Sequence, residues 1–209
     1  MAFCFLQPVY PIADSLPLVQ AILAGGAKLV QLRAKDLPTG ELVALARAAQ
    51  ACAESAGALL IIDDRADVAQ LTGAAGVHLG QDDLPPAAAR AILGPDKVIG
   101  FSTHNIGQVE AALAHRAIDY VAFGPIFPTT SKRDPSPVQG LSALAEVRAR
   151  CPLPLVAIGG ITASTLADVL AAGADAVAMI GAIVSAADPT QATRTLLAAV
   201  TTRRSRLRS

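Results

Sequence analysis

Short apolar runs recur along the chain, each close to the ~5 residues of an average strand. They fall at Val9–Ile12, Lys28–Leu32, Leu59–Ile62, Gly76–Leu79, Val98–Ser102, Tyr120–Phe123, Leu155–Ile158 and Ala176–Ile180. Between them lie Ala-rich stretches with helical spacing, among them Glu41–Ala56, Pro86–Leu93, Ile106–His115, Ser142–Arg150 and Ala163–Ala171. Strands alternating with helices predict parallel pairing, because parallel strands need a crossover. Continuous apolar runs, rather than alternating ones, predict a sheet covered on both faces. Eight such units in 209 residues predict a single (β/α)8 TIM barrel over residues 1–202, with a basic tail at 203–209. A doubly wound open sheet is the other arrangement, but no GxGxxG follows the first run.

Composition narrows the classes. The chain is 53% hydrophobic and 16% charged, with 3% aromatic residues and no Trp, so its core is built from Ala, Leu, Val and Ile. Seventeen basic residues balance 17 acidic ones, which argues against a nucleic-acid partner. No apolar run reaches the ~18 residues of a membrane span, and no basic n-region precedes an apolar start. Cys4, Cys52 and Cys151 form neither a metal spacing nor a disulfide framework, so the expected compartment is the cytoplasm.

The chemistry lies where the expected strands end. In a barrel those C-terminal ends carry the active site. After the second run, alternation places Gln31, Arg33 and Lys35 on one face. Two cations in a narrow mouth call for an anion such as phosphate or pyrophosphate, or for ion pairs with nearby carboxylates. The third and fourth runs end in Asp63-Asp64 and in His78–Asp83. Carboxylates on neighbouring strands suit Mg2+, which takes one or two of them together with substrate phosphates. Asp82 or Asp83 would equally suit capping the helix that starts near Pro85. Ser102 and His104 end the fifth run, and no nucleophile–base–carboxylate triad is apparent. Thr129, Thr130, Ser131 and Lys132 lie in a long loop, Pro125–Gly140, suited to closing on an anion. Gly159-Gly160 and Ile180-Gly181 follow the last two strands, where backbone N–H groups of many barrels bind a phosphate. Two anion sites on one face suggest a pyrophosphorylated and a phosphorylated substrate.

Taken in order, Gln31–Lys35, Asp63–Arg65, "HLGQDD" at 78–83, Gly100–Ser102, "GPIFPTTSK" at 124–132, Gln139-Gly140 and "AIGGIT" at 157–162 resemble the thiamine phosphate synthase family. The resemblance spans about residues 8–197. It implies a transferase that joins a hydroxymethylpyrimidine pyrophosphate to a thiazole phosphate, releasing pyrophosphate by a dissociative, Mg2+-dependent mechanism. It implies Asp64 and Asp83 as metal ligands, and Arg33, Lys35, Ser102 and Lys132 as catalytic. It further implies Gln31, Asp63, Thr129, Thr130, Ser131, Gly160, Ile180 and Gly181 as substrate-binding. The partners implied are the two small molecules, with homo-oligomerisation left open. The chain departs from the family pattern at Ala34, Asp63, Ser131 and Gly181, where Glu, Asn, Thr and Ser are common; Asp63 would repel pyrophosphate unless it faces the metal or an Arg. Two other readings are a thiazole tautomerase-like isomerase, which would need a histidine such as His104, and a non-catalytic ligand-binding relative. Gln81, Asp83 and the Pro128–Lys132 loop favour the synthase over the isomerase.

Overall fold

The computed structural model describes residues 3–129 and 136–206, with no side chains described beyond 200. The strands are β1 (Val9–Ala13), β2 (Leu29–Leu32), β3 (Leu59–Asp63), β4 (Gly76–Leu79), β5 (Val98–Thr103), β6 (Tyr120–Phe123), β7 (Leu155–Ile158) and β8 (Ala176–Met179). The helices are α1 (Leu16–Ala24), α2 (Thr39–Ser55), α3 (Ala66–Thr72), α4 (Pro86–Leu93), α5 (Ile106–Ala114), α6 (Gly140–Arg150), α7 (Leu166–Ala171), α8 (Gly181–Val184) and α9 (Pro189–Arg206). The strands pair in sequence order, all parallel, and β8 closes onto β1. This is the expected (β/α)8 barrel, with every strand boundary within one residue of the sequence reading. The five helices read from spacing are present, and the structure adds α1, α3, α8 and α9. Among the described residues no helix is long and apolar enough to cross a membrane.

The strands are buried on both faces because each face meets a different core. Outward-facing residues such as Val30, Leu60, Ile62, Val121 and Val177 pack against the helices. The Ala-rich helices suit that shell: in α2, Leu42, Ala46, Ala49 and Ala53 are buried on one stripe, and small side chains let the helix lie close to the sheet. The inner core is smaller and holds Tyr10, Ile12, Leu29, Ile61, Tyr120, Ala122, Val156, Ala176 and Ala178. Both tyrosines of the chain therefore lie inside the barrel. Gly100 makes room for one of them, since a Cβ there would lie 2.0 Å from Tyr120 Cζ.

Two matching staples hold the strands at their N-terminal ends. Asp119, just before β6, accepts from Ile99 N at 2.7 Å and pairs with Arg90 of α4 at 2.6 Å. Asp175, just before β8, accepts from Leu155 N at 2.8 Å and pairs with Arg148 of α6 at 2.9 Å. Below them, Phe3 and Phe5 pack on Tyr120 with ring centroids 5.6 and 5.3 Å away. The opposite, C-terminal end stays open.

Candidate active site

The open end forms a cavity of about 900 Å³. Of the residues singled out from sequence, Gln31, Arg33, Lys35, Asp63, Asp64, Asp83, Ser102, Thr129, Gly160, Ile180 and Gly181 all line it, as does His104. Thr130, Ser131 and Lys132 lie outside the described residues.

One side of the rim is charged. Arg33 Nε lies 3.3 Å from Asp63 Oδ2, and Lys35 Nζ lies 3.8 Å from the same oxygen and 2.8 Å from Asp64 Oδ2. Asp63 therefore faces Arg33, which answers the concern that its charge would stand alone against a pyrophosphate. Its Oδ2 is buried, and the approach of Arg33 is not aligned as a hydrogen bond. Burial and the adjacent Asp64 charge outweigh Lys35 and Arg33 and push the Asp63 carboxyl up to about 7. Burial alone would lower the Lys35 ammonium, but the carboxylates of Asp64 and Asp63 outweigh it and raise it. Asp64 sits in the left-handed region at φ 62, a conformation that costs a non-glycine residue energy, with its N–H donating to His78 O at 2.8 Å.

Asp83 does not cap α4, whose N-cap is Pro85. Its Oδ2 instead accepts from Gly80 N at 2.6 Å, which turns the carboxyl back toward Asp64. Burial and a hydrogen bond with the Asp64 carboxyl raise the Asp83 group. Two carboxyls brought into contact form a donor pair that a divalent cation would stabilise. Among the described residues no three His, Cys, Asp or Glu side chains are placed together to hold a metal ion, so other ligands would come from substrate or water.

The floor of the cavity is polar at its centre. Gln31 Nε2 donates to Tyr10 Oη at 3.1 Å, and Tyr10 and Tyr120 hydroxyls meet at 3.0 Å. Tyr120 Oη is 2.8 Å from His78 Nδ1, and His78 Nε2 is 2.8 Å from Ser102 Oγ. Tyr10 and Tyr120 were not singled out from sequence, and His78 had no role there. The available signal was that the chain's two tyrosines both stand on strands at inward-facing positions, where a buried hydroxyl must find a partner.

The far side of the rim is built from backbone. Gly159 has φ +100 and Gly160 φ +63, and a Cβ on Gly160 would lie 2.3 Å from Pro128 O. The β6 loop needs that space: Ile126 N donates to Ile158 O at 2.9 Å and Phe127 N to Gly159 O at 3.0 Å. At Gly181, by contrast, a Cβ would meet nothing within 4 Å. His104 Nδ1 is 2.8 Å from Gly124 O, which ties the end of β5 to the start of that loop.

A family model described as thiamine monophosphate synthase matches residues 6–183. The chain is similar to the thiamine-phosphate synthase of Methanoculleus marisnigri, with 51% identity over 86% of this chain and 84% of that protein. It is also similar to that of Anaeromyxobacter dehalogenans, with 46% identity over 90% and 83%. Among solved structures, the thiamine phosphate pyrophosphorylase from Pyrococcus furiosus superposes with a TM-score of 0.85 at 33% identity, covering 93% of this chain and 96% of that one.

Proposed function

The chain belongs to the thiamine monophosphate synthase family, and from that premise we propose how its barrel mouth carries out the alkyl transfer of that family, the joining of a pyrimidine pyrophosphate to a thiazole phosphate. The observation that carries the reading is the charged rim: Arg33 and Lys35 meet Asp63 and Asp64, with Asp83 against Asp64, over a cavity large enough for two heterocycles. The pyrophosphate takes the place that the carboxylates now hold beside Arg33 and Lys35. Asp64 and Asp83 would hold Mg2+, which supplies charge neutralisation for the departing pyrophosphate.

The protein has little covalent work to do. Heterolysis of the C–O bond leaves a cation on the methylene of the aminopyrimidine, which the electron-rich ring supports. The thiazole nitrogen then attacks that carbon. Arg33 and Lys35 stabilise charge growing on the leaving oxygens, and Ser102 donates a hydrogen bond at the same end. Gln31, fixed by Tyr10, orients the pyrimidine over the floor. Val156 and Ile158 give the ring an apolar wall that excludes water from the cation. The thiazole phosphate lies toward Thr129, Gly160, Ile180 and Gly181, so that its nitrogen faces the reacting carbon. From the family motif, Thr130 and Ser131 join that phosphate site and Lys132 joins the pyrophosphate site. The three cysteines are unpaired, which suits a reducing compartment, and we place the enzyme in the cytoplasm.

The test is direct. Purified protein with Mg2+ and both phosphorylated substrates should form thiamine phosphate and pyrophosphate, one for one. No Mg2+-dependent product would overturn the reading. Lys132→Ala should lower kcat/KM for the pyrimidine substrate by about ten-fold or more, the scale of one lost charge contact in a water-excluded site.

A further inference from the structure

We infer that Tyr10, Tyr120 and His78 are positioning residues: they form a one-way hydrogen-bond chain through the barrel core that fixes Ser102 as a donor into the mouth and Gln31 as an acceptor.

The argument is an accounting of protons. The Gln31 amide nitrogen can only donate, and it faces Tyr10 Oη at 3.1 Å. Tyr10 has one hydroxyl proton, and among the described residues the only acceptor within reach of it is Tyr120 Oη at 3.0 Å, so that proton goes there. Tyr120 in turn has one proton left for His78 Nδ1 at 2.8 Å. An imidazole that accepts at Nδ1 carries its proton on Nε2 when neutral, and Nε2 faces Ser102 Oγ at 2.8 Å. Ser102 thus accepts from behind, and its own proton turns to the cavity. Every link from Gln31 Nε2 to Ser102 Oγ is then made. Reversing the chain requires turning the Gln31 amide over and moving the His78 proton to Nδ1.

Two further observations support a built device. Gln31, His78, Tyr10 and Tyr120 are all at least nine-tenths buried. Gly100 leaves out the side chain that would collide with the Tyr120 ring.

The direction has a chemical consequence. The pair Ser102 and His78 has the spacing of a nucleophile and its base. In the inferred direction Nε2 carries a proton and cannot take another, so the serine is a hydrogen-bond donor and no nucleophile. That is the form an anionic leaving group needs. The inference rests on the proposed reading for the identity of that group, but the proton positions do not.

The test uses the full chain labelled with nitrogen-15. It has only three histidines, so the His78 ring is assigned by comparison with His78→Gln. Long-range proton–nitrogen spectra without substrate should show His78 neutral, with its proton on Nε2. A proton on Nδ1 overturns the direction. Tyr120→Phe keeps the ring and removes one link. It should leave the fold intact by circular dichroism, give His78 mixed tautomers, and lower kcat/KM for the pyrimidine substrate about ten-fold with KM for the thiazole phosphate unchanged within about two-fold. Added to Ser102→Ala, it should cost nothing more, because both act through one hydroxyl. A wild-type kcat/KM in Tyr120→Phe, or full additivity with Ser102→Ala, overturns the positioning role. Should Tyr120→Phe not fold, Tyr10→Phe, one link further along, is held to the same outcomes. Failure of the wild-type chain to make thiamine phosphate would sink the proposed function while leaving the tautomer measurement to decide the chain's direction.

Discussion

Asp63 is where this chain departs from the usual family pattern in a way that bears on charge. An Asn there would offer Arg33 and Lys35 no counter-charge. Asp63 offers both of them one, at 3.3 and 3.8 Å, in a buried position. It thereby competes with the pyrophosphate for the same cations. Asp63→Asn should lower KM for the pyrimidine substrate several-fold and leave kcat within about two-fold, since the change frees ground-state binding rather than the transition state. A raised KM in steady-state assays would mean that Asp63 instead holds the cations in place. His78 gives a second prediction, this one in stability. Its ordinary value is 6.5, and burial lowers it to about 4 in the native protein. Below 6.5 the unfolded chain takes up a proton that the native protein refuses until about 4, so stability falls on acidification through that window. The slope from this one group is at most about 1.4 kcal/mol per pH unit. His78→Gln lacks the group, so urea denaturation at pH 7 and pH 5 should show wild type losing ground to the variant as the pH drops. An equal change in both proteins would contradict the assignment.

Among elements, the loops after β6, β7 and β8 divide into parts that shape the mouth and parts that leave it open. Gly160 stands in the left-handed region with Pro128 O where a Cβ would be, so Gly160→Ala strains the backbone and pushes the β6 loop. A loss of about 1–3 kcal/mol is expected, read as a lower Tm, together with a raised KM for the thiazole phosphate. Gly181 has no such neighbour, so Gly181→Ser should fold like wild type and add a hydroxyl at the thiazole-phosphate end, lowering that KM. Equal damage from the two substitutions would count against this division. The strands were legible because each is a short run buried on both faces, bracketed by Ala-rich helices. The rim was legible because barrel strands display their chemistry at their C-terminal ends, so Gln31, Arg33 and Lys35 could be placed from position, whereas choosing Asp64 and Asp83 among the neighbouring carboxylates took the family resemblance. The floor was not. Tyr10 and Tyr120 meet across 110 residues of sequence, and no local pattern states that β1 and β6 face each other through the barrel. Nor does spacing show that Asp83 turns to Gly80 rather than to the helix after it.

For the molecule as a whole, the two ends of the barrel carry different work. The mouth holds charged side chains in close opposition, some buried and some strained, as sites of function do. The other end is closed by apolar contact and by the Arg90–Asp119 and Arg148–Asp175 staples. Phe3 and Phe5 complete that closure, stacked edge to face with centroids 4.9 Å apart and resting on Tyr10 and Tyr120. They keep water from reaching the tyrosine hydroxyls from below, yet touch neither rim. Phe5→Ala should therefore act on stability and hardly on chemistry. For a partly buried aromatic the cost is about 2 kcal/mol. In a domain of this size that corresponds to a Tm lower by about 4–8 °C. Both KM values should stay within about two-fold of wild type at temperatures where the variant is folded. A thermal melt and a steady-state assay on the same preparation decide it. A large change in KM with little change in Tm would show that the bottom of the barrel sets the geometry of the mouth, and the separation of the two ends would have to be given up.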